Sequence, residues 1–511
     1  MDRIVVAGFT VTPYLTTAFS DGTTPIGRII AIVAEVASRL QLDSDVTLIT
    51  APLSDDEANI LRTLPLPAGW THLSAPDRTA SAVYRRLDES LPRETEHLLF
   101  FRIDAPLVDP HLTERLYRLQ HDSWCDYTFA DGYPTGQTPE ILRRELLPVL
   151  IDLSEGTDLS WKSGVLFDTL QKDINAFDIE TEAAPEDYAI LRESFTVDTR
   201  RNYLLCRRVV EKGDTAAAHR EILLKEPHVL RVLPAYYYVQ ITTEMSQVPT
   251  YTPWNDSRWA PASPGAGVHM PVPLWTRVLD EIAEATPEAV VAIGYRGEPA
   301  LHPQLPRLIL DAEKHPGLRL YIETSGIGWS TEVFQAVTRS KSVDAVIVEL
   351  DSPDPSTYRK LRGDGMDEAI ACVEELRRLV PGKVYVQATR MPDNEWELQE
   401  FYKSWTAVPG VTVIIQKYNA FAQRLPDRRV ADLSPLHRMP CRHLERDMVI
   451  LVDGSVPRCH QDIDGEEIRG SLADQSVSAI WSRGASDYLN HIRGEYPAMC
   501  AVCDEYYTFN A

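Results

Sequence analysis

Four of the seven cysteines, Cys441, Cys459, Cys500 and Cys503, crowd into the C-terminal part of the chain. A Cys-x-x-Cys pair with two distant partners is a metal pattern in a reducing compartment, where disulfides do not persist. Four thiolates complete either a tetrahedral zinc site or one iron–sulfur cluster, and the spacing alone leaves both open. The other three, Cys125, Cys206 and Cys372, are isolated and read as small buried hydrophobes.

The elements around these residues set their context. The chain has 511 residues, 44% hydrophobic and 25% charged, which is ordinary for a globular protein with real cores and suggests about three domains. Lys and Arg total 51 against 75 Asp and Glu, a net charge of -24. That excess argues against nucleic acid or an anionic membrane as a general partner. No apolar run reaches the ~20 residues that span a bilayer. The start, Met1-Asp2-Arg3-Ile4-Val5-Val6, carries no secretory leader pattern, so a cytoplasmic protein is expected.

Residues 1–225 alternate strand-like runs (3–7, 46–50, 98–103) with helical patterns (26–40, 110–120, 140–150). Such alternation predicts a layered α/β domain with a largely parallel sheet. Six prolines punctuate 249–273, among them Pro249, Pro253, Pro261 and Pro264, which predicts a long loop. It lies between a strand-like run at 236–241 and a helix-like run at 273–285. Five further strand candidates follow, at 290–294, 318–323, 345–349, 384–388 and 411–415. Helical patterns at 304–314, 331–338, 367–379 and 395–405 separate them. Six βα units in series suit a partial TIM-type (β/α)6 barrel, with chemistry on the loops after the strands. The expected domains are 1–225, 230–435 and a small cysteine-organised one at 436–511.

The middle domain carries Gly297-Glu298-Pro299-Ala300-Leu301-His302-Pro303 after its second strand, Thr324-Ser325-Gly326 after the third, and Asp351-Ser352-Pro353 with Tyr358 and Leu361-Arg362-Gly363 after the fourth. These resemble, in order, the motifs of radical S-adenosylmethionine (SAM) enzymes. In that family the position of Glu298, beside Gly297, contacts the amino group of SAM. The family also needs Cys-x3-Cys-x2-Cys after the first strand, in loops of the type E-C-S-Q-x-C-T-Y-C-P. Here the loop runs Glu244-Met245-Ser246-Gln247-Val248-Pro249-Thr250-Tyr251-Thr252-Pro253, which puts Met245, Pro249 and Thr252 in the cysteine positions. A thioether is a weak ligand, proline has no ligand atom and threonine is a poor iron ligand. The resemblance therefore implies a degenerate barrel without the radical-generating cluster. SAM binding is doubtful on this reading, although Glu298 keeps a SAM-like or other amine ligand open.

The terminal cysteines resemble the SPASM domain, or its shorter twitch-like form. Cys441, twelve residues, Gly454, four residues and Cys459 match its opening pattern, with Gly470-Ser471-Leu472, Ile480-Trp481 and Cys500-Ala501-Val502-Cys503 following. Asp453-Gly454 reads as a two-residue hairpin turn between 448–452 and 455–458, which would return Cys459 beside Cys441. The sequence runs eight residues past Cys503, so four ligands are expected. The resemblance implies one fully ligated 4Fe–4S cluster, with zinc as the alternative.

In the N-terminal domain, the apolar run 98–103 ends in Asp104-Ala105-Pro106. Asp126-Tyr127, Gly136 with Glu140-Ile141, and Thr196-Val197-Asp198-Thr199 with Tyr203 follow. This resembles cytidylyltransferase-type nucleotidyltransferases, with their glycosyltransferase-A-like fold. In that family aspartates at the positions of Asp104 and Asp198 hold magnesium, a hard ion suited to carboxylate oxygens. The phosphate-cradling loop departs from the family pattern. It reads Gly8-Phe9-Thr10-Val11-Thr12-Pro13-Tyr14, no lysine precedes Lys162, and Arg28 is alone between Arg3 and Arg39. A polyphosphate there lacks its usual donors.

The three-part arrangement resembles the spirochaete spiro-SPASM family. It implies a degenerate radical SAM/SPASM protein that binds one auxiliary cluster and a peptide, protein or nucleotide partner. Two alternatives stay open: a magnesium-dependent nucleotidyltransferase-like enzyme, with a nucleotide or sugar nucleotide as substrate, and a zinc-stabilised scaffold. Whether the chain is an enzyme is undecided at this level; radical chemistry is not expected.

Overall fold

Ile4, Val5, Val6 and Ala7 are all fully buried, as a strand covered on both faces requires. They lie in β1 (Arg3–Gly8), an interior strand of the first of two large sheets in the computed structural model, which describes residues 2–157, 159–213, 215–260 and 265–508. Pro261 and Pro264 of the proline-rich loop lie outside the described residues. The chain divides into two units, Met1–Leu230 and Arg231–Ala511. Both are mixed α/β.

In the first unit, β1 pairs in parallel with β2 (Val46–Thr50), which pairs in parallel with β3 (Trp70–Ser74). On its other side β1 pairs in parallel with β4 (His97–Arg102). Then come β5 (Tyr127–Asp131), β6 (Glu140–Arg143) and β7 (Ile179–Ala183), giving the order β3-β2-β1-β4-β6-β5-β7, with β6 antiparallel to both neighbours. The expected helix over 140–150 is corrected here. Glu140–Arg143 is strand, and the helix begins only at Leu147. Pro148 is the reason. It has no N–H and fits only the first turn, so it fixes the helix start and frees the Ile141-Leu142 pair to line the sheet.

The second unit presents all six expected strands: β8 (Tyr236–Val239), β9 (Val290–Ile293), β10 (Arg319–Thr324), β11 (Val343–Glu349), β12 (Val384–Arg390) and β13 (Val411–Lys417). All neighbouring pairs are parallel. Side chains alternate as the pleat demands. Tyr237, Val291, Ile322 and Val346 face the helix-side core, whereas Tyr236, Ala292, Tyr321 and Ile347 form a second cluster on the inner face.

A seventh strand, β14 (Asp447–Ile450), was not expected in this sheet; it pairs in parallel with β8, Asp447 opposite Tyr236. The hairpin expected at Asp453-Gly454 is therefore corrected. The turn exists, with Gly454 at φ +85° and the Leu451 N–H bonded to the Ser455 carbonyl at 2.8 Å. The strand after it, β15 (Ser455–Pro457), pairs instead with β16 (Ile468–Ser471). All four residues of β14 are buried, and the edge of β8 offers the covered, hydrogen-bonding site that such a strand needs. No helix among the described residues is long and apolar enough to cross a membrane.

The loops after β8, β9 and β10 are stitched together. Glu298 N–H donates to the Glu244 carbonyl at 2.7 Å. A Cβ on Gly297 would lie 2.0 Å from the Thr242 carbonyl oxygen. That contact is with backbone, so it cannot be relieved by a rotamer change. Gly297→Ala is expected to cost about 1–3 kcal/mol or more by overpacking, measured by denaturant unfolding. Gly382→Ala, whose Cβ would meet nothing within 4 Å at φ +81°, should lose only the left-handed backbone penalty of about 1–2 kcal/mol.

Candidate metal centre

Cys441 precedes the short helix Arg442–Arg446, Cys459 follows β15, Cys500 lies in the helix Ala498–Val502, and Cys503 ends that helix. All four line one pocket and none is in a disulfide. Backbone N–H groups of Leu444, Gln461 and Glu505 point at Cys441, Cys459 and Cys503, the last at 3.4 Å. Such donors stabilise sulfur charge. Burial lifts all four thiols above their ordinary range, Cys459 up to about 12. Neighbouring sulfurs push further at Cys441, Cys459 and Cys503, and Arg458 pulls Cys500 back. Cys441 and Cys500 are buried and Cys459 and Cys503 half-buried.

The pocket wall makes the same point through different atoms. His491 is 2% exposed, and neither ring nitrogen has a hydrogen-bond partner; the Gln461 amide, equally buried, has none on either end. His460 Nδ1 is also buried without a partner. Buried polar atoms are nearly always satisfied, and each orphan costs roughly 1–3 kcal/mol. Clustered sulfide or water acceptors in the pocket would satisfy the donors among them, so the residues fit a sulfur-rich group. Sequence spacing pointed to the cysteines and gave no signal for His491 or Gln461. His460 is the neighbour of Cys459, the one cue available.

His443, His460 and Glu505 also converge, their ligand atoms within 4.8 Å of one another. The protein already engages two of the three. His443 Nδ1 meets Asp447 at 2.6 Å and Nε2 meets Thr508 at 3.0 Å, while Glu505 is paired with Lys417 at 2.5 Å.

At the strand tips of the second unit, Met245, Pro249 and Thr252 sit in a loop held by other side chains. Gln247 donates to Tyr358 Oη at 3.1 Å and to the Asp364 carbonyl at 2.7 Å. Tyr251 donates to Asp351 at 2.5 Å. Arg362, 4% exposed, reaches Tyr251 at 2.8 Å, Asp351 at 2.7 Å and Glu349 at 2.7 Å. Thr252 Oγ1 turns back to the Pro249 carbonyl at 2.9 Å. Glu298 accepts from Thr324 Oγ1, Ser325 N and Oγ, and Ala300 N at 2.6–3.2 Å. Its four acceptor positions are filled by the chain.

In the first unit, Arg102 grips Asp104 in a bidentate fork, both bonds 2.8 Å. Against burial, Asp104 and then Asp198 lift the guanidinium pKa. An arginine thus sits on one of the two carboxylates expected to hold magnesium, and an ion bound through Asp104 would compete with it. Asp198 accepts from Thr196 and Asn202 at 2.7 and 2.9 Å. Thr199, the next residue, caps the helix Arg200–Val210. Phe9, in the expected phosphate loop, packs on Trp161 at 4.8 Å and under Arg102 at 5.4 Å.

Glu323 on the inner face of β10 is a group that sequence reasoning missed. Burial first, and the Glu349 carboxylate second, push its carboxyl up to about 7 from an ordinary 4.5. The folded state therefore holds this proton more tightly than the unfolded one. Its contribution to stability is full below pH 4.5 and is lost as the pH rises to about 7. Glu323→Gln should raise the melting temperature at pH 8 and leave it unchanged at pH 4.5, read by thermal unfolding at both pH values.

Residues 441–504 match the SPASM family, described as an iron-sulfur cluster-binding domain. An uncharacterized protein of Treponema pallidum (strain Nichols) is 35% identical over 359 residues, spanning 68% of this chain and 98% of that protein. Among solved structures, Streptococcus suis SuiB bound to the precursor peptide SuiA is 14% identical at a TM-score of 0.41, covering 66% of this chain and 78% of that one. A cytidylyltransferase from Leptospira borgpetersenii is 15% identical at a TM-score of 0.35, covering 45% and 95%. At the identity and coverage of the treponemal match, the chain belongs to the family of that Treponema pallidum protein, with a SPASM-type iron–sulfur domain at its C-terminal end.

Proposed function

We propose that the second unit binds one 4Fe–4S cluster through Cys441, Cys459, Cys500 and Cys503, and that its barrel-like sheet binds a peptide or protein partner without generating radicals. The observation that carries the cluster is the convergence of four free thiols, two buried and two half-buried, on one pocket whose wall leaves His491 and Gln461 unsatisfied. A cluster with four protein thiolates supplies electron transfer, anchoring or structural strength. The chain's own part is to hold the sulfurs, exclude water, and offer the backbone N–H groups of Leu444, Gln461 and Glu505.

The loss of radical chemistry rests on ligand chemistry. Met245, Pro249 and Thr252 provide no thiolate, and Gln247 and Tyr251 tie the same loop into the Arg362 network. The inner face keeps half-buried Tyr238, Tyr385, Gln387 and Glu349. Aromatic rings interspersed with hydrogen-bonding groups suit a peptide better than a purely apolar ligand.

Protein purified without oxygen should contain about four irons and four labile sulfides per chain, with a matching EPR signal on reduction, all lost in Cys500→Ser. Zinc alone would replace the cluster with a structural zinc. Cleavage of SAM to 5′-deoxyadenosine by the loaded protein would overturn the reading of the barrel.

A further inference from the structure

The first unit contains a cavity of about 390 Å³ that none of the expected site residues lines. Asp104, Asp198 and residues 8–14 are absent from its wall among the described residues. Three arginines from three helices reach it: Arg28 from Pro25–Leu40, Arg115 from Pro110–Ser123 and Arg220 from Ala216–Lys225. The sequence shows Arg28 as the lone cation near the N-terminal loop; the fold brings it two more from far along the chain.

Each guanidinium is positioned by a partner that leaves donors over. Arg28 gives Nε to Thr23 at 2.7 Å and one Nη2 contact to Asp21. Arg115 gives Nε to Glu182 at 2.9 Å and Nη2 to Tyr133 at 3.4 Å. Arg220 gives Nη1 to Asp109 at 2.7 Å and lies 5.5 Å over the Tyr133 ring. A guanidinium has five N–H donors, so each retains several after this bracing. The only acidic groups in the described lining are Glu35 and Asp109. Asp109 is held by Arg220, and Glu35 accepts from Arg39 at 2.8 Å. Within the lining three arginines face two carboxylates, and Asp21 and Glu182, outside the lining, balance Arg28 and Arg115, so what the cavity offers an anion is unused guanidinium N–H donors. The helices Pro110–Ser123 and Ala216–Lys225 also begin at the cavity, and their dipoles favour an anion there.

We infer that this cavity binds an oligophosphate anion, a diphosphate or the phosphate tail of a nucleotide, through Arg28, Arg115 and Arg220. Forked guanidinium groups match phosphate oxygens in charge and geometry. The volume lies within the ~300–1,000 Å³ usual for small-molecule sites, room for more than one phosphate. The unused guanidinium donors supply the contacts to phosphate oxygens, so binding without magnesium is the expectation. The site is independent of the cluster, so it stands or falls apart from the reading of the second unit.

The test is calorimetric titration of the full chain, cluster loaded, with pyrophosphate and separately with CTP and ATP, each with and without magnesium. Binding without magnesium is expected, weakened about tenfold or more in the R28A/R115A double variant and further weakened by salt. Nucleotides that bind only as tightly as pyrophosphate would identify the phosphate tail as the whole determinant; tighter binding would add a base or sugar contact to the same site. Glu35→Gln removes a negative charge from the lining without removing an arginine and should tighten binding, which guards against misfolding of the double variant. Three results would overturn the assignment: no pyrophosphate binding in the wild type, unchanged affinity in R28A/R115A, or binding that depends on magnesium and is abolished by Asp104→Ala.

Discussion

The pairing of β14 with β8 is the constraint on which the second unit rests. β14 spans Asp447–Ile450, between the first two cysteines of the metal centre. Its register against β8, Asp447 to Tyr236 and Ile450 to Val239, therefore fixes where the flanking loops start. Cys441 sits one short helix before it, and Cys459 lies beyond the turn at Gly454. Arg231 reinforces the arrangement, donating to the Leu444 carbonyl at 2.9 Å and the Trp481 carbonyl at 2.7 Å with its guanidinium 3.6 Å from the Trp481 ring. The cysteine-bearing segment is thus not an appendage but the closing strand of the large sheet.

A different device holds the strand tips. The loops there are ordered by a buried polar network centred on Arg362. The guanidinium compensates Glu349 and Asp351, and Gln247 and Tyr251 bring the first loop onto it. Networks of this kind add little net stability over an apolar core, but removing one partner leaves a buried charge and costs about 3–5 kcal/mol. Asp351 adopts φ +64°, sparsely populated for a residue with a side chain. It is held by the Thr389 N–H at 2.8 Å and by Asn394 on its carbonyl at 2.7 Å.

Much of this was legible in the sequence because it depends on local pattern. The six strands of the second sheet are apolar runs at regular intervals, and the cysteines announce themselves by spacing. What was hidden depends on partners distant in sequence. β14 looks like half of a hairpin until the unsealed edge of β8 is known. Glu140–Arg143 looks helical unless Pro148 is given its weight. The aspartate pair is visible in the sequence, but the bidentate fork of Arg102 on Asp104 is not. Arg28 looks isolated because Arg115 and Arg220 come to it only through the packing of three helices, and His491 has no distinguishing spacing at all.

The position of β14 between two of the proposed ligand cysteines has one more consequence. Whatever the four thiols take up, its binding free energy is shared with the strand that lies between them, since metal binding and the folding of its ligand loops are one linked equilibrium. The edge of β8 is then protected in proportion to metal occupancy. On the cluster reading proposed above, loss of the cluster would loosen the last strand of the sheet and with it the inner face that carries Tyr236 and Tyr238. The same reading would make the supply of a metal a condition for the shape of a surface outside the proposed ligand set.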